Sequence, residues 1–331
     1  MTAKLKFGVA ATVAGLVLVL SACSSESSVD PETDAGAGGL TIVATTTILG
    51  DIARNIVGED GSVEVLMPIA TDPHDYRLSS AQVGALHKAD LVIYNGLGLE
   101  VGMLDVLATA LVDGANIVEL APFVDPVGFS DRQPCDVADG PDEHEGEHGD
   151  AHEDHGLCDP HVWLDPARGA QVALAISAEL ALLDSSVDWQ TRAEEYAAQM
   201  EKVDQEIVEI LSALPVGNRL LVTNHDSLGY FADRYGLDVV GTVIPGGSTR
   251  GAPSSADLAE LVAIINDTGV RAIFTETTEP AVLADAIAGE VGHDVKVILL
   301  YTGSLGGPDS GAETLVEMLL TNAQRIADGL S

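Results

Sequence analysis

The sequence predicts an α/β protein built as two lobes joined by one long helix. Three observations predict it. Short apolar, β-branched runs alternate with helix-periodic stretches over residues 40–120 and again over 219–327. That alternation is the pattern of βαβ units on parallel sheets. Between the two halves lies one uninterrupted amphipathic stripe, over 188–214. The chain has 331 residues, 46% of them hydrophobic, enough for one or two ordinary cores.

The elements follow in order. A β-rich run covers 40–45, a helix 48–57 and a second strand 63–66. A helix over 79–88 has Ser79 or Ser80 as its cap. Leu91-Val92-Ile93-Tyr94 is apolar throughout, as strands buried on both faces of a parallel sheet are. A helix over 101–111 and a strand over 116–120 close the first run of alternation. The pattern breaks over about 125–160, and Pro166, behind Asp165 as cap, then opens a helix that reaches Leu183.

In the central stripe, Trp189, Ala193, Tyr196, Met200, Val203, Ile207, Ile210 and Leu214 step by fours and threes. They form one face of a helix about 40 Å long. Such a face suits either a coiled-coil dimer or a helix laid along the back of two lobes. A single run between two α/β halves favours the second. After Pro215 come strands at 219–223, 239–244, 271–275 and 295–300, with helices at 227–235, 255–267, 280–290 and 311–327. The chain therefore divides into a lobe at 40–187, a rigid linking helix at 188–214 and a lobe at 215–331, each lobe Rossmann-like.

Residues 1–22 read as an export signal. Lys4 and Lys6 precede an apolar run over 7–20, shorter than the roughly 20 residues a membrane span needs. Leu20-Ser21-Ala22-Cys23 resembles the bacterial lipobox, with Cys23 as the acylated residue. Residues 23–39, rich in Ser, Glu, Asp and Gly, read as a flexible tether. The expected location is extracytoplasmic, lipid-anchored to the bacterial cell membrane, as a monomer. Cys135 and Cys158 remain, and in an oxidising compartment two such cysteines pair. The alternative is Cys158 as a thiolate ligand beside His161.

Asp and Glu total 52 against 15 Lys and Arg, for a net charge of −37. That balance excludes nucleic acid as a partner, because phosphate contacts need basic side chains. It fits a strongly solvated surface and, secondarily, attraction of cations.

Three histidines sit where strands or loops end, the place where ligands gather in open α/β sheets. His74 lies in Asp72-Pro73-His74-Asp75-Tyr76, His161 in Asp159-Pro160-His161-Val162-Trp163-Leu164-Asp165-Pro166, and His225 in Thr223-Asn224-His225-Asp226-Ser227. Two come from the first half and one from the second, as a site in the cleft between two lobes requires. Neutral imidazoles from distant segments suit zinc. Asp75, Asp159, and the pair Asn224 and Asp226 stand near them in sequence as candidates to fix each ring's tautomer.

These motifs resemble those of the zinc and manganese substrate-binding proteins of ABC importers, from residue 40 onward. Pro73-His74-Asp75-Tyr76, the segment 159–166 and His225-Asp226-Ser227-Leu228-Gly229-Tyr230-Phe231 match that family's three ligand turns. The resemblance implies a lipid-anchored receptor that carries Zn2+ as cargo to a membrane permease, without catalysis. Its third ligand is often glutamate in manganese receptors, so His225 points to zinc.

One departure stands out. Where the family supplies an aspartate as fourth ligand, this chain reads Tyr301-Thr302-Gly303-Ser304-Leu305-Gly306, and Gly303 offers no donor. Glu276, at the end of the 271–275 strand, is the candidate carboxylate for the fourth position; the other reading makes it an acid that braces a ligand. The acidic segment within 136–158 carries His144, His148, His152 and His155, an accessory set for exchangeable metal. The competing readings are a manganese or iron receptor on the same scaffold and a zinc hydrolase. The hydrolase lacks a His-Glu-x-x-His helix and a Gly-x-Ser-x-Gly turn.

Overall fold

A computed structural model describes residues 39–129, 132–135 and 158–331. The segment expected to be an export signal, the expected tether up to residue 38, Cys23 as the expected lipidation residue, and His144, His148, His152 and His155, expected to form an accessory metal set, lie outside the described residues.

The first lobe carries a four-stranded parallel sheet in the order β2-β1-β3-β4. Its strands are β1 (Leu40–Ala44), β2 (Gly61–Val65), β3 (Leu91–Tyr94) and β4 (Ile117–Glu119). The second lobe repeats the plan as β6-β5-β7-β8. Here the strands are β5 (Leu220–Thr223), β6 (Asp238–Thr242), β7 (Ala272–Glu276) and β8 (Lys296–Leu300).

Strand alternation puts successive side chains on opposite faces, and both faces are filled. Ile42, Ala44, Leu91 and Ile93 enter one large core, while Val43 and Val92 enter a smaller one beneath Leu86, Met103 and Leu107. In the second lobe Leu221, Ala272 and Phe274 face the large core, and Val222 and Ile273 face a separate cluster with Leu261, Ile265 and Ile287.

The large core is common to both lobes. Helices α1 (Thr47–Val57), α4 (Pro166–Leu183), α5 (Trp189–Ser212) and α9 (Leu315–Leu330) supply its middle. The other α-helices among the described residues are α2 (Ser80–Leu86), α3 (Leu104–Val112), α6 (Gly229–Tyr235), α7 (Ser255–Thr268) and α8 (Val282–Glu290). Pro166 sits in the first turn of α4, where a missing N–H is harmless, and the Asp165 carboxylate accepts from Ala167 N at 2.9 Å. The predicted stripe of α5 is buried at Trp189, Ala193, Tyr196, Met200, Val203 and Ile207. At its C-terminal end Leu211 joins the buried residues, Ile210 is partly buried against the same core, and the helix stops at Ser212, before the buried Leu214. The stripe packs against α4, α9 and α1 of the same chain. It is therefore satisfied internally, and the coiled-coil alternative has no face left to use.

Cys135 and Cys158 are joined in a disulfide, 23 residues apart in sequence. This excludes Cys158 as a thiolate ligand in this state. Closing a loop of that length removes chain entropy worth about 3 kcal/mol. The Cys135→Ser, Cys158→Ser double variant is expected to lose up to about that much in denaturant unfolding. An unchanged midpoint would show that the bond constrains little. Among the described residues no helix is long and apolar enough to cross a membrane.

Candidate metal centre

The sheet register brings the site residues together. Thr223 of β5 pairs with Phe274 of β7, so two residues further on His225 and Glu276 stand side by side at the carboxyl ends of adjacent strands. His74 arrives from the loop after β2. His161 precedes the single turn Val162–Leu164 that leads into α4. All three rings are buried, at 2%, 1% and 2% exposure for His74, His161 and His225.

The rings converge. One nitrogen from each of His74, His161 and His225 lies within 4.8 Å of the other two. Nε2 of His161 and Nε2 of His225 are 3.1 Å apart. Two nitrogens bound at about 2.0–2.1 Å to one tetrahedral zinc stand about 3.3 Å from each other. The third ring needs to come in by no more than about 1.5 Å to complete the set. Both ring nitrogens of His74 are buried and lack a hydrogen-bond partner among the described residues. A buried polar atom with no partner is costly, and a cation held between the rings would satisfy the one nitrogen that faces it.

Two of the rings are oriented from behind. His161 Nδ1 lies 2.8 Å from Asp159 Oδ1, which also accepts from His161 N at 3.0 Å. His225 Nδ1 lies 2.6 Å from Glu276 Oε1. Each contact puts a proton on Nδ1 and leaves the Nε2 lone pair facing the centre. Glu276 is thus engaged behind His225, with its second oxygen accepting from Thr302 Oγ1 at 2.5 Å. Of its two sequence readings the geometry matches the bracing acid, and it is not part of the cluster of three converging donors.

The sequence neighbours of the other rings behave differently. Asp159 does orient His161. Asn224 and Asp226 do not orient His225, because β7 presents Glu276 to it first. Asp75 is largely exposed and faces Arg250 at 3.9 Å. Asp72, instead, accepts from His74 N at 2.9 Å and from Thr249 Oγ1 of the other lobe at 2.6 Å.

Electrostatics follow burial. Burial, then the nearby His161 and His225, hold His74 well below the ordinary imidazole value. Burial and His225 do the same to His161. Burial also works against charge on His225, yet the Glu276 charge and hydrogen bond outweigh it and raise that ring. Glu276 responds in kind: burial pushes it up, but His225 and Thr302 prevail and its carboxyl is lowered. Burial pushes the Asp159 carboxyl up to about 6, against the His161 N–H and Arg132, which favour the anion.

Gly303 lies beside the turn that carries His74. A Cβ placed there would meet Pro73 Cδ at 2.9 Å and Thr278 Cγ2 at 3.7 Å. The position is next to the site, and its lack of a side chain removes one donor there. Its neighbour Thr302 serves the site in two other ways: the hydroxyl holds Glu276, and the carbonyl accepts from Trp163 Nε1 at 2.7 Å. Neither Thr302 nor Arg132, which donates to Asp159 at 2.8 Å, was singled out in the sequence. Arg132 lies 27 residues from its partner, and no local pattern links them.

A protein-family model described as zinc-uptake complex component A, periplasmic (ZnuA), matches residues 42–329. Manganese-binding lipoprotein MntA of Halalkalibacterium halodurans is 27% identical over 318 residues, covering 96% of each chain. Zinc-binding protein TroA of Treponema pallidum is 30% identical over 305 residues, covering 90% of this chain and 91% of its own. The solved structure of periplasmic zinc-binding TroA superposes with a TM-score of 0.75 at 29% identity, covering 89% of this chain and all of that one.

Proposed function

This chain belongs to the zinc-uptake complex component A family of metal ABC transporter substrate-binding proteins, and from that premise we propose that it is an extracytoplasmic zinc receptor. It holds Zn2+ as cargo at His74, His161 and His225 and passes it to the permease of an ABC importer. Acylated Cys23 anchors it to the membrane. The observation that carries the zinc reading is the donor set, which among the described residues is three buried imidazoles with no carboxylate. Imidazole suits zinc, and carboxylate and water suit manganese. Glu276 and Asp159 act behind the rings, where they fix orientation and offset charge. The relatives bear both metals in their names, so a manganese receptor is the competing reading.

Metal-stripped protein titrated with zinc and manganese in competition is expected to prefer zinc by at least about a hundred-fold, or about 2.7 kcal/mol. Equal or tighter manganese binding would overturn the assignment. Uptake and release would proceed by local rearrangement around the site. One core, running from Ile42 and Ile52 through Met200 and Ile207 to Phe274 and Leu319, ties the lobes together and leaves no short hinge.

A further inference from the structure

Two side chains cross from the first lobe onto the second beside the metal centre, and each occupies a space that a glycine leaves open. A Cβ on Gly247 would stand 2.0 Å from Phe129 Cζ, and a Cβ on Gly229 would stand 1.8 Å from Arg132 Nη2. The Phe129 ring lies edge-on to His161, with centroids 6.4 Å apart. The Arg132 guanidinium, on its Gly229 seat, donates from Nη1 to Asp159 Oδ2 at 2.8 Å, and its Nη2 is 3.6 Å from Asp226 Oδ1. Arg132 holds a left-handed backbone with φ of 52°, a conformation that costs an ordinary residue about 1 kcal/mol or more. Nearby, the Cys135–Cys158 disulfide and the bridge between Gly128 and Cys158 fasten this stretch to the segment that carries Asp159 and His161.

We infer that Arg132 is a positioning residue for the metal, acting through Asp159 on His161 and depending on the bare Cα of Gly229 for its seat. The inference rests on His161 being a zinc ligand. Asp159 has no solvent exposure, and a buried carboxylate needs a counter-charge. Arg132 supplies it as a charge-assisted hydrogen bond to one oxygen and leaves the other for the His161 ring. With Oδ2 held by the guanidinium, Oδ1 cannot swing away from Nδ1, and Nε2 stays aimed at the centre. Tyr230 completes the clamp from the second lobe: its hydroxyl donates to the Asp159 carbonyl at 2.9 Å and accepts from Val127 N at 3.0 Å.

The test measures zinc affinity of the full chain by chelator competition, together with the visible spectrum of the cobalt-loaded protein. Arg132→Met is expected to weaken zinc by about ten-fold or more, within the range usual for partners that orient a ligand. Arg132→Lys, which keeps one charged donor, is expected to recover most of that loss. Gly229→Ala leaves every group at the centre intact, and because it unseats the same guanidinium from buried Asp159 it is expected to lower thermal stability no more than Arg132→Met does. Its methyl group takes the guanidinium's place, so it is expected to weaken zinc as Arg132→Met does and to shift the cobalt bands the same way. Binding within two-fold of wild type in both Arg132→Met and Gly229→Ala overturns the inference. So does a loss in Arg132→Met that lysine does not restore and that leaves the cobalt bands unmoved. Wild-type protein whose zinc binding is indifferent to His161→Ala would instead remove the receptor reading beneath it.

Discussion

Replacing His161 with alanine is expected to lower zinc affinity by about a hundred-fold, equivalent to about 2.7 kcal/mol. His161 is central to the arrangement. Its Nε2 is 3.1 Å from that of His225, its ring centroid is 5.5 Å from that of His74, and Asp159 fixes its orientation at 2.8 Å. Alanine removes one of three donors and leaves a site that water must complete. It also strips Asp159 of its ring partner, although Arg132 still pairs with that carboxylate. Chelator competition or calorimetry on metal-stripped protein measures the effect, and the cobalt spectrum should lose intensity with the missing ring. An affinity unchanged within two-fold would take His161 out of the centre and leave two imidazoles, too few for a tight zinc site.

Acidification is expected to release the metal, first through His225. The sign follows from the direction of its shift. Glu276 raises His225, so the empty site keeps a proton on that ring at a higher pH than an ordinary imidazole would. With Nδ1–H committed to Glu276, the second proton sits on Nε2, facing His161 Nε2 where the cation belongs. Zinc must displace it. Once the pH falls below the raised value, each further unit costs about ten-fold in affinity. His74 and His161 are held low, so they join only at more acid pH and steepen the fall there. Calorimetry in buffers of differing ionisation heat should count about one proton released at the start of this range. Glu276→Gln removes the charge that raises His225 and is expected to move the onset to lower pH. Affinity that stays flat from pH 8 to pH 5, or rises on acidification, would contradict this account.

Part of the site was readable because its signals are local. Each histidine sits in a short turn at the end of a strand or before a helix, and the turns carry their own punctuation: Pro73 before His74, Pro160 before His161, and the β5 run before His225. Asp159 was also legible as the partner of His161, since two residues along a turn suffice to bring them together. The partner of His225 was not. Asn224 and Asp226 are its neighbours in sequence, yet strand pairing places Glu276, 51 residues away, against its ring. The same limit applies to Asp72, whose second contact is Thr249 of the opposite lobe, and to Arg132, whose seat is the missing side chain of Gly229.

The sequence alone determined the order and type of the elements, because hydrophobic period and capping residues act over a few positions and need no distant partner. It also singled out His74, His161 and His225 by their turns and left residue 303 without a side chain. Only the tertiary structure decided that the α5 stripe closes on its own chain, which groups stand behind each ring, and which glycines admit Phe129 and Arg132. Those are decisions of register and close approach. They depend on which surfaces meet, and residues far apart along the chain carry no local record of meeting.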